Sequence, residues 1–195
     1  MAETTPGNDE VESDAAPKPK RVTKRKAVEE HARSYLDALA RRDVEAVGEH
    51  WREDGVEDLV PIGMLRGRQE IKDFFRSIFE AMPDAETTLV RIVAGDQLAA
   101  VEWRVSGTFS DAPFQGVDPT GKRVEVRGVD MLEIKDGEIV SNTAYYDGMA
   151  FARQVGMLPP QDSGAERAMK SAFNALTKAR RAIAERTSGS EGAGA

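Results

Sequence analysis

Asp130 stands where a charged carboxylate is hard to accommodate. It lies in the run Val124–Ile134, Val-Glu-Val-Arg-Gly-Val-Asp-Met-Leu-Glu-Ile, whose alternation reads as a strand. At period two one face carries Val124, Val126, Gly128, Asp130, Leu132 and Ile134. A charge on that face has to be paired or neutralised by protonation. Asp130 therefore pairs with an arginine such as Arg104 or Arg127, caps a turn, or holds a proton and becomes a hydrogen-bond donor. Asp58 is a second acid in a related setting. In the short run Gly55–Val60 it shares a face with Val56 and Val60, while Glu57 and Leu59 point the other way. Tyr35 falls inside an apolar helical stripe, so its ring is expected to be buried with a hydroxyl that needs a partner.

The elements that must position these residues follow from periodicity. Val28, Ala32, Tyr35, Leu36 and Leu39 form one stripe of a helix over Ala27–Arg41, and Asp43 caps a short second helix carrying Val44, Val47 and Trp51. Arg68–Met82 gives the clearest helix, with Ile71, Phe74, Phe75, Ile78, Phe79 and Met82 on one face as core. A meander follows. Thr87–Ala94 and Leu98–Phe109 alternate, the loop Ser110–Gly121 leads into the Asp130 strand, and Asp136-Gly137 marks a hairpin into Ile139–Tyr146. Asp147–Gly156 reads as a short helix. Ser163-Gly-Ala-Glu166 matches a capping box that opens a last amphipathic helix. The fold class is α+β: a strongly curved antiparallel sheet with about three helices, closing into a cone around a pocket, plus an extra C-terminal helix.

Charge and composition narrow the function. Net charge is −7, yet residues 18–26 carry six bases, and residues 27–163 hold 15 bases against 26 acids. An acidic body argues against a nucleic-acid-binding domain. The chain has no cysteine and two histidines, which suits a reducing cytoplasm and gives little material for a metal cage. No run is long and apolar enough for a membrane span or the core of a signal peptide. Residues 1–26 and 188–195 read as disordered tails, residues 27–160 as one domain, and residues 161–187 as the amphipathic helix, which packs best on protein.

Three segments resemble the nuclear transport factor 2-like superfamily, and within it the SnoaL-like polyketide cyclases and ketosteroid isomerases. Ala32-Arg-Ser-Tyr-Leu-Asp-Ala-Leu-Ala-Arg-Arg-Asp43 is similar to the isomerases' opening helix, whose oxyanion-hole tyrosine falls on Tyr35. Val56-Glu-Asp-Leu-Val, followed by Gly67 and the Arg-Gln-Glu-Ile helix, is similar to their catalytic-base segment, and the base falls on Asp58. Gly128-Val-Asp-Met-Leu-Glu-Ile is similar to the strand with the second oxyanion-hole acid, which falls on Asp130. Gly116-Val-Asp-Pro-Thr-Gly-Lys-Arg-Val124 resembles a loop of the cyclases. A Trp/His pair common in the cyclases' last strand is replaced by Asn142-Thr143.

The resemblance implies removal of a proton beside a carbonyl, for isomerisation or aldol cyclisation of an apolar polyketide- or steroid-like molecule. Such a reaction needs one ionised carboxylate as base and a protonated group to hold the enolate. On this reading Asp58 is the base, Asp130 is the protonated donor and Tyr35 its co-donor. Trp103, Phe75, Phe79, Phe109, Val101 and Leu132 line the pocket. No metal or organic cofactor is needed, and the resemblance implies a homodimer. The alternative is a non-catalytic small-molecule-binding or dimerisation module of the same fold, with Asp130 ion-paired and charged.

Overall fold

The computed structural model describes residues 20–60 and 62–191, with side chains described over 23–60 and 62–185. Helix α1 (Lys20–Ala40) and the short α2 (Val44–Glu49) come first. Strands β1 (Trp51–Leu59) and β2 (Gly63–Arg66) precede α3 (Arg68–Ala81). Strands β3 (Glu86–Ala94), β4 (Leu98–Phe109), β5 (Lys122–Lys135) and β6 (Glu138–Tyr146) form the meander, followed by α4 (Gly148–Val155) and α5 (Gly164–Glu191).

The strands make one six-stranded sheet in the order β2-β1-β6-β5-β4-β3. The meander is antiparallel throughout. β1, however, lies parallel to β6, so the sheet is mixed rather than wholly antiparallel. This crossover brings residues around position 57 beside residues around 142, and it is the pairing that builds the site.

Helix α1 begins at Lys20, seven residues before the expected start at Ala27. The intervening residues include no glycine or proline and are mostly strong helix formers. At the other end α5 continues through 188–191. The expected disorder of residues 1–19 and 192–195 falls outside the described residues. Trp51 opens β1 instead of closing α2. The cap at Asp43 is as expected, its carboxylate accepting the Ala46 N–H at 3.1 Å.

Two apolar clusters fill the space between sheet and helices. One joins Val28, Tyr35, Leu36 and Leu39 of α1 to Trp51, Val101, Leu132 and Ile139. The other joins Ala81, Met82, Phe109, Val124 and Val155. Along α3 only Ile71 and Ala81 are buried, while Phe74, Phe75, Ile78 and Phe79 stay half-buried. Those four face a cavity that lies between the clusters, where the periodicity alone had made them core.

Helix α5 leaves the body after Pro159-Pro160. Ser163 caps it, its hydroxyl accepting the Glu166 N–H at 3.1 Å. Glu166 anchors the first turn by accepting from the Asp162 N–H at 2.8 Å and from Arg153 at 2.9 Å. Beyond it Met169, Phe173, Leu176 and Ile183 are all exposed. Among the described residues no helix is long and apolar enough to cross a membrane.

Candidate active site

The cavity has a volume of ≈ 460 Å³. Helix α1 contributes Leu36 and Leu39, α3 contributes its aromatic face, and the sheet contributes Leu59, Trp103, Val105 and Val126. The loop after β4 and helix α4 close the remaining side. Phe114 and Val117 exchange backbone hydrogen bonds of 3.0 Å, which turns Phe114 toward both Phe74 (centroids 5.9 Å apart) and Phe151 (6.1 Å). Two carboxyls, Glu57 and Asp130, open into this apolar space.

Asp130 lies on the inner face of β5, as its strand pattern requires, and is only 5% exposed. Its lateral neighbours are Val101 on β4 and Ala144 on β6. Neither arginine reaches it: Arg104 and Arg127 both turn to Glu125. Among the described residues no cation lies within ion-pair distance of Asp130 or Glu57. Burial pushes the Asp130 pKa up to about 6, while the Trp103 indole N–H and the Asn142 amide work in the opposite direction.

Glu57 is the acid that the sequence reading placed on the wrong side of its strand. β1 points Trp51, Gly55, Glu57 and Leu59 inward, and it leaves Asp58 half-buried on the opposite face. The inward anchors decide the register. Trp51 is fully buried and Leu59 is 5% exposed, so Glu57 between them follows at 1%. Val60, one of the residues that seemed to define an inner face with Asp58, is 51% exposed. Asp58 does not line the cavity. Glu57 does, and its pKa is held well above the usual carboxylate range, first by burial and then by the nearby charge of Asp130.

Asn142 links the two acids. Strand β6 runs between β1 and β5, with Asn142 opposite Glu57 on one side and opposite Leu132 on the other, two residues from Asp130. Its Nδ2 donates to Glu57 Oε1 at 2.9 Å. Glu57 Oε2 is left buried without a partner. The family resemblance marks Asn142 as a departure from the cyclase pattern but gives it no role, because only the parallel β1–β6 pairing brings it to the acids.

The remaining candidates divide. Trp103, Phe75 and Phe79 line the cavity. Val101, Phe109 and Leu132 share the inner face but are packed at its ends, Val101 and Leu132 in one cluster and Phe109 in the other, and so they do not border the cavity. Gly128 explains how Trp103 reaches Asp130. A Cβ at Gly128 would meet the indole at 2.3 Å, so the ring lies across β5 where only glycine leaves room. Tyr35 is fully buried, with edge-on contacts to Trp51 (6.2 Å) and Phe75 (6.5 Å), and is not a lining residue. Its pKa is raised well above the ordinary phenol value by burial and by the charges of Glu57 and Asp130, so its ring sits within electrostatic reach of the pair.

A curved sheet wrapped on helices around an acid-bearing apolar cavity defines a nuclear transport factor 2-like domain. The SnoaL-like polyketide cyclase family model matches residues 29–155, and the chain belongs to that family. No curated protein matches the chain. Among solved structures it is similar to AclR of Streptomyces galilaeus, a proposed hydroxylase, at 22% identity with a TM-score of 0.63, covering 80% of this chain and 98% of that one. It is also similar to a proposed SnoaL-like polyketide cyclase of Jannaschia sp. CCS1, at 19% identity and a TM-score of 0.65, covering 73% and 100%. IdmH of Streptomyces antibioticus, a proposed polyketide cyclase, matches at 26% identity and a TM-score of 0.57, covering 66% and 97%.

Proposed function

We propose that the protein is a cofactor-independent enzyme that removes a proton from carbon beside a carbonyl in an apolar, polyketide-like molecule. The observation that carries this is the pair Glu57 and Asp130, which share a mainly apolar cavity with no counter-cation among the described residues. Two carboxyls held this close cannot both ionise cheaply, so near neutral pH the pair retains one proton. Asp130, whose charged form the nearby Trp103 indole and Asn142 amide favour, carries the charge and is the base. Glu57 keeps the proton. The Asn142 amide occupies Oε1, which leaves Oε2, buried at the cavity wall without a partner, as the oxygen that carries that proton.

The steps then balance without any other reagent. Asp130 takes the α-proton, the C–H electron pair moves into the enolate, and the enolate oxygen accepts a hydrogen bond from Glu57. In an isomerisation the Asp130 carboxyl returns the proton to the far carbon. In an aldol cyclisation the enolate carbon attacks a second carbonyl, and the new alkoxide takes the proton. A positioned base contributes ~10²–10⁴-fold and an oxyanion donor ~10²–10³-fold. Tyr35 supports the pair from behind the cavity and Asp58 has no part in the chemistry.

The family resemblance extends this reading to a homodimer, which light scattering on the full chain tests, and the cysteine-free composition extends it to a reducing compartment. The reaction itself is tested by incubating the protein in D₂O with a panel of cyclic and polycyclic ketones and following α-hydrogen exchange by NMR. Exchange above the buffer rate is expected for at least one ketone. Ketones that bind in the cavity without exchanging would overturn the proposal.

A further inference from the structure

We propose that the cavity binds apolar molecules that carry a protonated amine, in preference to neutral molecules of the same shape. Among the described residues no lysine, arginine or histidine lines it, and the acids that open into it are Glu57 and Asp130. Asp130, the charged member of the pair, is 5% exposed, and Glu57 beside it is 1% exposed. A carboxylate enclosed in this way lacks the counter-charge that normally accompanies burial. A cationic ligand would supply it from the cavity side.

The walls suit the same ligand. Phe74, Phe75, Phe79, Trp103, Phe114 and Phe151 border the space, and an aromatic face attracts an alkylammonium through its quadrupole. Carboxylates together with aromatic walls therefore favour a cation twice over. A free carboxylate on the ligand would meet the acid pair with no cation between them. At ≈ 460 Å³ the cavity has the size of a small-molecule site rather than an ion site. The ammonium must thus sit on an apolar body that fills the aromatic portion. This inference rests on the proposed reading of Glu57 and Asp130 as the working acids, but it does not require turnover.

The test uses N,N-dimethylbenzylamine, protonated as its ammonium, and its neutral carbon isostere isobutylbenzene, titrated into the full chain at about pH 7.5 and followed by NMR at the Trp103 indole N–H. The ammonium is expected to bind about tenfold more tightly or better, a difference that one unit charge in a low-dielectric site readily supplies. It should also move the Trp103 signal. The double variant Glu57→Gln, Asp130→Asn should lose that preference while still binding the hydrocarbon. Equal affinities, tighter binding of the hydrocarbon, or an ammonium response that leaves Trp103 unmoved would overturn the inference. Deuterium exchange into ketones without any ammonium preference would remove this inference alone, and an ammonium preference without exchange would remove the enolisation reading alone.

Discussion

Asn142 on β6 donates its amide to Glu57 on β1 at 2.9 Å, across the parallel pair of strands in the sheet. That bond decides which oxygen of Glu57 remains for chemistry. The amide also lowers the tendency of both carboxyls to hold protons. Asn142→Leu should therefore raise the apparent pKa values of the pair, shifting the rising limb of a pH–rate profile to higher pH. A variant that lost only stability would keep the limb in place.

Burial of the pair has a consequence for stability. Asp130 is raised from its ordinary value to about 6 in the folded state, so the folded protein binds the proton more tightly than the unfolded chain. The stabilising protonation is fully present below the unfolded pKa of about 4 and is lost as pH rises through about 6. Glu57 is shifted in the same direction. Urea midpoints should fall across this window by the equivalent of about 3 kcal/mol from Asp130 alone. Asp130→Asn should flatten the profile and leave the variant more stable than the parent at pH above about 7.

The close approach of Trp103 to β5 gives a third expectation. Gly128→Ala places a methyl 2.3 Å from the Trp103 ring and 2.7 Å from the Tyr145 carbonyl oxygen. The backbone oxygen cannot swing aside, so the cost is that of overpacking, about 1–3 kcal/mol. Displacing the indole also moves a polar N–H that favours the charged form of Asp130. Thermal unfolding should show the loss, and the Trp103 emission should change. An unaltered spectrum and melting temperature would contradict the packing described.

The strand carrying Asp130 was legible in the sequence because it is long. Val124, Val126, Leu132 and Ile134 fix its parity, and a single acid among them can only point inward. The run around Glu57 and Asp58 was not legible, since Val56 and Val60 mimic an inner face while the true anchor, Trp51, also fits a helical stripe. Alternation along β4 put Val101, Trp103 and Phe109 on the correct face. It could not tell which of them borders a cavity and which is packed at either end, because that depends on where α1, α3 and α4 cross the sheet. Asn142 was hidden for a different reason. Its partner Glu57 lies 85 residues away in the chain and meets it only through the parallel crossover.

The account stands on Glu57 and Asp130 as the working acids, with Asp58 outside the reaction. The most direct measurement is α-hydrogen exchange of a bound ketone in D₂O, compared among Glu57→Gln, Asp130→Asn and Asp58→Asn. Asp130→Asn should lose ~10²–10⁴-fold in exchange rate and Glu57→Gln ~10²–10³-fold, while Asp58→Asn stays within a few-fold of the parent. Exchange that survives in Asp130→Asn and collapses in Asp58→Asn would contradict the account.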